Sequence, residues 1–214
     1  MASASSPNKK DVLLIQFAKA PVVGRVKTRM IPHLSAEQAS ELHSELFNWT
    51  ARVLCIDKLG SVELWLAGDA DQEFMTLTHT LGFDAHKTQS GRDLGERMAN
   101  AIADGLERFE KVILVGSDCP AIDRNYLREA ILALDDNDVV LGPAEDGGYV
   151  LVAARVVCRE MFVGIEWGSN TVFDETVEIL SKGTKSWQSL AVLPDIDRPE
   201  DLPLWFQLRG DQPE

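Results

Sequence analysis

Apolar and polar positions alternate along the chain in blocks typical of strands and helices in turn. Residues 11–17 and 111–116 are short apolar runs with almost no polar interruption, as in strands covered on both faces in a parallel sheet. Residues 61–68 predict another strand, and a further one is predicted around 149–154, after the apolar segment 138–143.

A capping box marks the start of the first predicted helix. Ser35 is followed three residues later by Gln38, a spacing in which each side chain can satisfy the other residue's backbone N–H. Beyond it, apolar residues recur at steps of four, three and four, as on one helix face: Leu42, Leu46, Trp49 and Val53.

Four more helices follow from the same reasoning. Residues 71–82 form a short predicted helix that ends at Gly82, and residues 93–109 carry a helical apolar stripe. Asp123 is expected to cap the next helix and Asn170 to begin the last. The alternation predicts an α/β fold of three layers, with a mostly parallel, doubly wound sheet.

The chain has the length of one domain. With 214 residues it can bury a single continuous core. We expect a disordered tail over 1–10, one domain over 11–208 and a C-terminal tail over 209–214. Residues 142–169 are glycine-rich and irregular, which favours an insertion or a small antiparallel excursion from the sheet there.

Net charge and cysteine content indicate which partners the protein can bind and in which cellular compartment it is expected. A formal net charge of -13 argues against nucleic acid, which requires a broad positive face. Three cysteines without metal-site spacing favour a reducing cytosol, so a cytoplasmic location is expected. The opening residues lack the apolar region of a signal peptide, and no run has the length of a membrane span.

Cations cluster in residues 17–30. No Asp or Glu occurs between Asp11 and Glu37, and the cluster follows a predicted strand, at the sheet edge where ligands of open α/β sheets bind. Pro21 and Gly24 oppose an early helix and leave backbone N–H groups free for a di- or triphosphate. A solvated basic turn is the alternative. The cluster consists of Lys19, Arg25, Lys27 and Arg29.

Carboxylates occupy comparable positions. Asp118 directly follows the strand 111–116, where it could bind Mg²⁺ or Mn²⁺ beside a polyphosphate or only cap a turn. Residues 143–150 contain two acids, two glycines and a tyrosine, which suits either close approach to a ligand or a bulge. Asp197 stands just before Pro199, a pattern that helix capping alone explains.

Three motifs resemble the nucleotide-diphosphosugar transferase superfamily and its glycosyltransferase-A fold. GSDCP (116–120), DGGY (146–149) and IDRPEDL (196–202) span much of the chain. FAKAPVVGRVKTRM, QSGRDLGERM and GPAEDGGYVL resemble a bacterial group labelled as candidate glycosyltransferases. That group is related to molybdenum-cofactor and 2-phospho-L-lactate guanylyltransferases.

The resemblance implies roles for individual residues. Asp118 and Asp197 would hold the divalent metal, while Gln89 and Gly91 would lie against the nucleotide base. Trp167 could shape an acceptor pocket, although a packed tryptophan before a helix is the alternative. The four loop cations would face the phosphates, and Asp118, Asp146 and Lys27 would be catalytic. The sugar or acceptor would be bordered by Asp146, Gly147, Gly148 and Tyr149.

The expected activity is transfer from a nucleotide-activated donor with Mg²⁺ or Mn²⁺. The first loop lacks the GGxGxR pattern of nucleotidyltransferases, which inclines the interpretation toward glycosyl transfer from a nucleotide sugar. The alternatives are guanylyl- or cytidylyl-type nucleotidyl transfer onto a phosphorylated small molecule, and a non-catalytic protein that binds a nucleotide or nucleotide sugar. The acceptor, the base and the oligomeric state stay open.

Overall fold

The computed structural model of the protein describes residues 10–56 and 58–210. The expected tails therefore lie mostly outside the described residues, at 1–9 and 211–214. Ordered structure extends slightly beyond the expected domain bounds, because the first strand begins at Lys10 and the last helix ends at Gly210.

Seven strands and six α-helices alternate along the described chain. The strands are β1 (Lys10–Lys19), β2 (Ser61–Ala67), β3 (Ala85–Thr88), β4 (Phe109–Val115), β5 (Val139–Pro143), β6 (Tyr149–Ala154) and β7 (Trp187–Ser189). The helices are α1 (Ala36–Ile56), α2 (Gln72–Thr80), α3 (Leu94–Arg108), α4 (Arg124–Asp136), α5 (Val172–Lys182) and α6 (Leu202–Gly210). Three short 3-10 helices cover Thr28–Met30, Arg159–Phe162 and Pro199–Asp201.

The strands form one sheet in the order β3-β2-β1-β4-β6-β5-β7. Every pairing is parallel except those of β6, which runs antiparallel to both β4 and β5. The predicted mostly parallel α/β sheet is confirmed. For residues 142–169 we expected an insertion or a small antiparallel excursion from the sheet; the antiparallel strand in this region, β6, instead lies within the sheet between β4 and β5.

Local signals placed most helix ends correctly. The Ser35–Gln38 capping box is formed in both directions, at 2.9 and 3.2 Å. Asp123 accepts a hydrogen bond from the Tyr126 N–H at 2.8 Å. The last predicted start is wrong by one residue, since Thr171 rather than Asn170 is the N-cap of α5.

Apolar side chains pack on both faces of the sheet. The core on one face joins the sheet to α3 and α5, and the core on the other face joins it to α1 and α4. A smaller cluster binds the loop after β1 to the C-terminal part of the chain: Met30, Leu42, Leu46, Ile196, Leu202 and Trp205. Among the described residues, no helix is both long and apolar enough to cross a membrane.

The chain order creates a switch point between two central strands. From β1 the chain proceeds outward to β2 and β3, then returns to β4 on the opposite side of β1. The connections at the carboxyl ends of β1 and β4 therefore diverge and leave a crevice between them. Ligands of open α/β folds bind at such a point.

Candidate functional site

A cleft of about 640 Å³ opens at this switch point. It is lined by the loop after β1, the turn after β4 and the start of β6, and by residues from α1, α3 and the segment before α5. The sequence-predicted residues that line it are Lys19, Arg25, Lys27, Arg29, Gln89, Asp118, Asp146, Gly148, Tyr149, Trp167 and Asp197. Pro21, Gly24, Gly91 and Gly147 do not line it.

Lys27 lies at the centre of the charged part of the cleft. Its backbone is left-handed, with φ 49°, and its side chain is only 2% exposed. The ammonium donates a hydrogen bond to the Ile196 carbonyl. It also lies 2.8 Å from Asp118 Oδ1 and 4.0 Å from Asp197 Oδ1. One buried cation thus joins both carboxylates that the resemblance assigns to metal binding.

Backbone contacts explain why these two carboxylates meet. The Ile196 N–H donates to the Asp118 carbonyl at 2.8 Å, and Cys119 Sγ contacts the Pro194 carbonyl at 3.2 Å. The late segment therefore lies along the turn after β4. Ile196 is fully buried beside Met30, so the packing of that cluster fixes the same arrangement.

Asp118 presents one buried and one open side. Its Oδ1 is buried toward Lys27, yet 46% of the side chain is exposed. Burial acts to raise the pKa of Asp118, but the Lys27 ammonium and then His43 outweigh it, so the pKa lies below its usual value. Asp118 is therefore an ionised carboxylate at neutral pH, with its exposed part available to a ligand.

Arg29 pairs with the second carboxylate. Its guanidinium donates to Asp197 Oδ2 at 2.5 Å and to the Gly168 carbonyl at 3.3 Å. The hydrogen bond and charge of Asp197 raise the pKa of Arg29. Helix capping is performed by Asp201, whose carboxylate accepts from the N–H groups of Asp197 and Arg198 at 2.9 and 2.6 Å. The carboxylate of Asp197 thus faces the cleft.

Lys19, at the end of β1, and Arg25, in the loop after it, differ from Lys27 and Arg29 in their ion pairing. Both line the cleft, and neither forms an ion pair with any residue that the structure describes. The Lys19 backbone is held in place, because the buried His43 ring donates from Nε2 to the Lys19 carbonyl at 3.0 Å. Their charges are available to an anion, whereas those of Lys27 and Arg29 are engaged.

The glycines outside the cleft shape its walls. Gly147 has φ 89°, and a Cβ there would lie 2.0 Å from the Asn170 carbonyl oxygen. Gly91 has φ 146°, and a Cβ there would lie 2.7 Å from the Arg97 nitrogen. Each glycine lets its turn approach the start of a helix. Gly24 makes a turn with φ 75°, and the Pro21 carbonyl accepts from Ser40.

Part of the cleft lining is aromatic, and this part is called the aromatic wall. Tyr149 and Trp167 meet edge to face, with ring centroids 6.3 Å apart. A Cβ on Gly95 would lie 2.5 Å from the Trp167 ring, so Trp167 packs against α3 and also lines the cleft. Burial raises the pKa of Tyr149. Asp146 stands beside them, and its Oδ1 accepts from the Gly148 N–H at 2.8 Å.

Gln89 has a fixed orientation. Its Nε2 donates to the carbonyls of Ala18 and Trp65, both at 2.9 Å. Because these bonds use both amide hydrogens, Oε1 remains as the acceptor that can meet a donor group of a ligand.

The sequence assigned no role to several residues of the site, among them His43, Ser117 and Asp195. His43 and Ser117 line the cleft, and Asp195 lies close to Asp146 and Asp197. Burial, followed by the charges of Asp146 and Asp197, raises the pKa of Asp195 to about 6. Asp195 could have been found from the sequence, because residues 195–197 read Asp-Ile-Asp and place a second acid two positions before Asp197. His43 could not, because it stands in an ordinary amphipathic helix.

The donor set fits a divalent metal in chemistry and position. Asp118 and Asp197 supply carboxylate oxygens, which Mg²⁺ and Mn²⁺ prefer, and both lie within 4.0 Å of one ammonium. The position of the Lys27 ammonium shows that both carboxylates stabilise a positive charge placed between them. Within residues 10–56 and 58–210, no three His, Cys, Asp or Glu side chains form a metal-holding group by themselves. Phosphate oxygens would have to complete the coordination.

The strand order and the cleft at the β1–β4 switch define the fold of the nucleotide-diphospho-sugar transferases. The crystal structure of a candidate nucleotide-diphospho-sugar transferase from Desulfovibrio desulfuricans G20 matches with a TM-score of 0.84 and 29% identity, over 94% of this chain and 88% of that one. A 4-diphosphocytidyl-2C-methyl-D-erythritol synthase from Anaerococcus prevotii DSM 20548 matches with a TM-score of 0.62 and 10% identity, over 96% and 100% of the two chains.

Sequence comparison leads to a narrower group. Residues 50–169, more than half of the chain, match the family described as "Uncharacterized protein conserved in bacteria (DUF2064)", and the chain belongs to this family. A 2-phospho-L-lactate guanylyltransferase from Methanothermobacter thermautotrophicus strain Delta H is 24% identical over 182 residues, which are 82% of this chain and 76% of the relative. The predicted superfamily and the prediction of a transferase are confirmed.

Proposed function

We propose that this protein is a divalent-metal-dependent transferase that uses a nucleotide-activated donor. The observation that carries the proposal is the convergence of Asp118 and Asp197 on the Lys27 ammonium, at 2.8 and 4.0 Å, in the switch-point cleft. Two further cations, Lys19 and Arg25, line the same cleft without ion-pair partners among the described residues. Paired carboxylates beside free cations suit a metal-bound polyphosphate.

Each group has a role that follows from its contacts. Lys19 and Arg25 bind phosphate oxygens, while Lys27 and Arg29 pair with the two carboxylates. Asp118 and Asp197 would hold Mg²⁺ or Mn²⁺, which supplies a Lewis acid for the phosphate oxygens when bound. Gln89 Oε1 accepts from the base, and Tyr149 with Trp167 borders the acceptor. Catalysis then rests on positioning and on charge stabilisation.

Nucleotidyl transfer onto a small acceptor is the preferred reaction. Two free cations in addition to the metal-facing pair suit a triphosphate, which carries more charge than the diphosphate of a nucleotide sugar. The similarity to a 2-phospho-L-lactate guanylyltransferase over 82% of the chain supports this choice. The preference reverses the inclination drawn from the missing GGxGxR pattern.

Glycosyl transfer from a nucleotide sugar is the second candidate. It is favoured by the similarity to the Desulfovibrio protein, which is described as a candidate nucleotide-diphospho-sugar transferase. The aromatic pair Tyr149 and Trp167, 6.3 Å apart, would suit an apolar sugar face. A non-catalytic nucleotide sensor would use the same cleft and leave its ligand intact.

Product analysis separates these functions. Wild-type protein with Mg²⁺ is incubated with each nucleoside triphosphate and 2-phospho-L-lactate or a set of phosphorylated hydroxy acids, and in parallel with nucleotide sugars. We expect acceptor-dependent release of pyrophosphate from one triphosphate. Release of nucleoside diphosphate from a nucleotide sugar would favour glycosyl transfer instead. Tight binding of a nucleotide that is recovered unchanged with every acceptor would favour the sensor.

A further inference from the structure

Arg97 is a fifth cation in the cleft, away from the loop after β1. It lies in the first turn of α3, lines the cleft, and donates from Nε to the Gly91 carbonyl at 3.2 Å. It forms no ion pair with any residue in the described part of the chain. It lies within the motif QSGRDLGERM, but the sequence assigned it no role.

The acids nearest to Arg97 in sequence are engaged elsewhere. Asp93 caps α3 by accepting from the Glu96 N–H at 2.8 Å. Glu96 Oε2 accepts from the backbone N–H and the Nε of Arg92, at 2.7 and 3.0 Å. In a chain with a formal net charge of -13, Arg97 therefore directs an uncompensated positive charge into the cleft.

The Gly91 contact prepares the guanidinium for a ligand. Nε is fixed on a carbonyl, while the two terminal nitrogens donate to no residue in the part of the chain that the structure describes. A guanidinium in this state suits the paired oxygens of a carboxylate or phosphate. The adjoining N-terminus of α3 adds a favourable potential for an anion.

Arg97 and the cations at residues 19–29 are carried by different elements of the fold. Lys19 is the last residue of β1 and Arg25 lies in the loop after it, whereas Arg97 lies on α3, the helix whose Gly95 packs against Trp167. Two cation groups on separate elements indicate two separate anionic groups in the ligands. We propose that Arg97 is the residue that binds a phosphate or carboxylate of the acceptor. This inference rests on the proposed transferase function.

Titration of inorganic phosphate tests the assignment. Full-length wild type, Arg97→Met and Arg92→Met are each saturated with Mg²⁺ and the α,β-methylene analogue of the best-bound nucleoside triphosphate, which cannot undergo nucleotidyl transfer. Arg92 is the matched control because it stands five positions earlier and is paired with Glu96. We expect phosphate affinity to fall about 10- to 100-fold in Arg97→Met, the loss of a charge-assisted pair of hydrogen bonds. Analogue affinity should stay unchanged in both variants.

Other outcomes overturn the assignment in distinguishable ways. Equal phosphate affinity in wild type and Arg97→Met, or no phosphate binding to wild type, removes the acceptor subsite. Loss of analogue affinity in Arg97→Met places Arg97 at the donor instead. Failure of wild type to bind any analogue contradicts the proposed function. Phosphate titrated into the nucleotide-free proteins then decides whether an Arg97-dependent anion site still exists.

Discussion

At the residue scale, Lys27 determines how the charges of the cleft are arranged. Its ammonium is buried, contacts Asp118 at 2.8 Å and bonds a carbonyl that lies 169 positions further along the chain. The sequence predicted that Lys27 would reach the sheet edge, since the loop follows a strand. It could not predict which loop cations would be paired with acids, because those acids come from distant segments.

Replacing Lys27 with Met should open the carboxylate pair to a metal ion. Without the ammonium, Asp118 and Asp197 lose the positive charge that both contact, so a divalent cation becomes the favourable substitute. We expect Lys27→Met to bind Mn²⁺ at least about ten-fold more tightly than wild type in the absence of nucleotide, or about 1.4 kcal/mol. Electron paramagnetic resonance of free Mn²⁺ measures this directly.

Arg25→Met is the control for the Lys27 variant. Arg25 lines the same cleft but has no ion-pair partner in the described chain, so its removal should leave Mn²⁺ binding without nucleotide unchanged. Identical Mn²⁺ affinity in all three proteins would contradict the placement of the metal between Asp118 and Asp197.

At the scale of elements, the walls of the cleft depend on close contact between a turn and a helix. Gly147, in the turn before β6, touches the Asn170 backbone before α5, and its carbonyl accepts from the Phe173 N–H at 2.8 Å. The sequence showed two glycines there and left ligand approach and tight turn equally open. Only the fold places Gly147 against Asn170 and Gly148 in the cleft, because the contact joins separate elements.

Gly147→Ala should destabilise the protein far more than a glycine substitution in open space. The left-handed backbone alone costs about 1–2 kcal/mol for alanine, and the Cβ would also meet the Asn170 oxygen at 2.0 Å. We expect a loss of at least about 3 kcal/mol in the free energy of unfolding, measured by urea denaturation. Gly164→Ala is the control, since Gly164 has φ 78° and nothing within 4 Å of its Cβ position. A similar loss in both variants would show that the contact with Asn170 does not contribute to the cost of the substitution.

At the scale of the whole molecule, strand order accounts for the position of the site. Buried apolar runs predicted β1 and β4, and the βα alternation predicted the sheet edge at which Lys19 and Asp118 meet. β6 was predicted as a strand, but its antiparallel direction was expected only as one possibility for the irregular glycine-rich region 142–169. The edge strand β7, Trp187–Ser189, was missed because three residues give no periodicity.

The negative charge of the whole chain should favour anion binding in the cleft over the rest of the surface. The formal net charge of -13 repels anions from most of the surface, while the cations of the cleft attract them locally. The same contrast explains why the sequence could indicate an anion site but not its ligand. In the function we propose, base and acceptor are recognised by Gln89, Arg97 and the aromatic wall, which the fold brings together from separate segments.

The most direct test of the proposed metal–nucleotide site is the stabilisation of wild type and Asp118→Asn by each nucleoside triphosphate and nucleotide sugar, with and without Mg²⁺. At a ligand concentration about 100-fold above Kd, the expected stabilisation is about 2.7 kcal/mol, a rise of several degrees in Tm. We predict that one nucleotide stabilises wild type mainly with Mg²⁺, and that Asp118→Asn loses the Mg²⁺-dependent part alone. Retention of that part in Asp118→Asn, or no stabilisation of wild type by any nucleotide, would contradict the account.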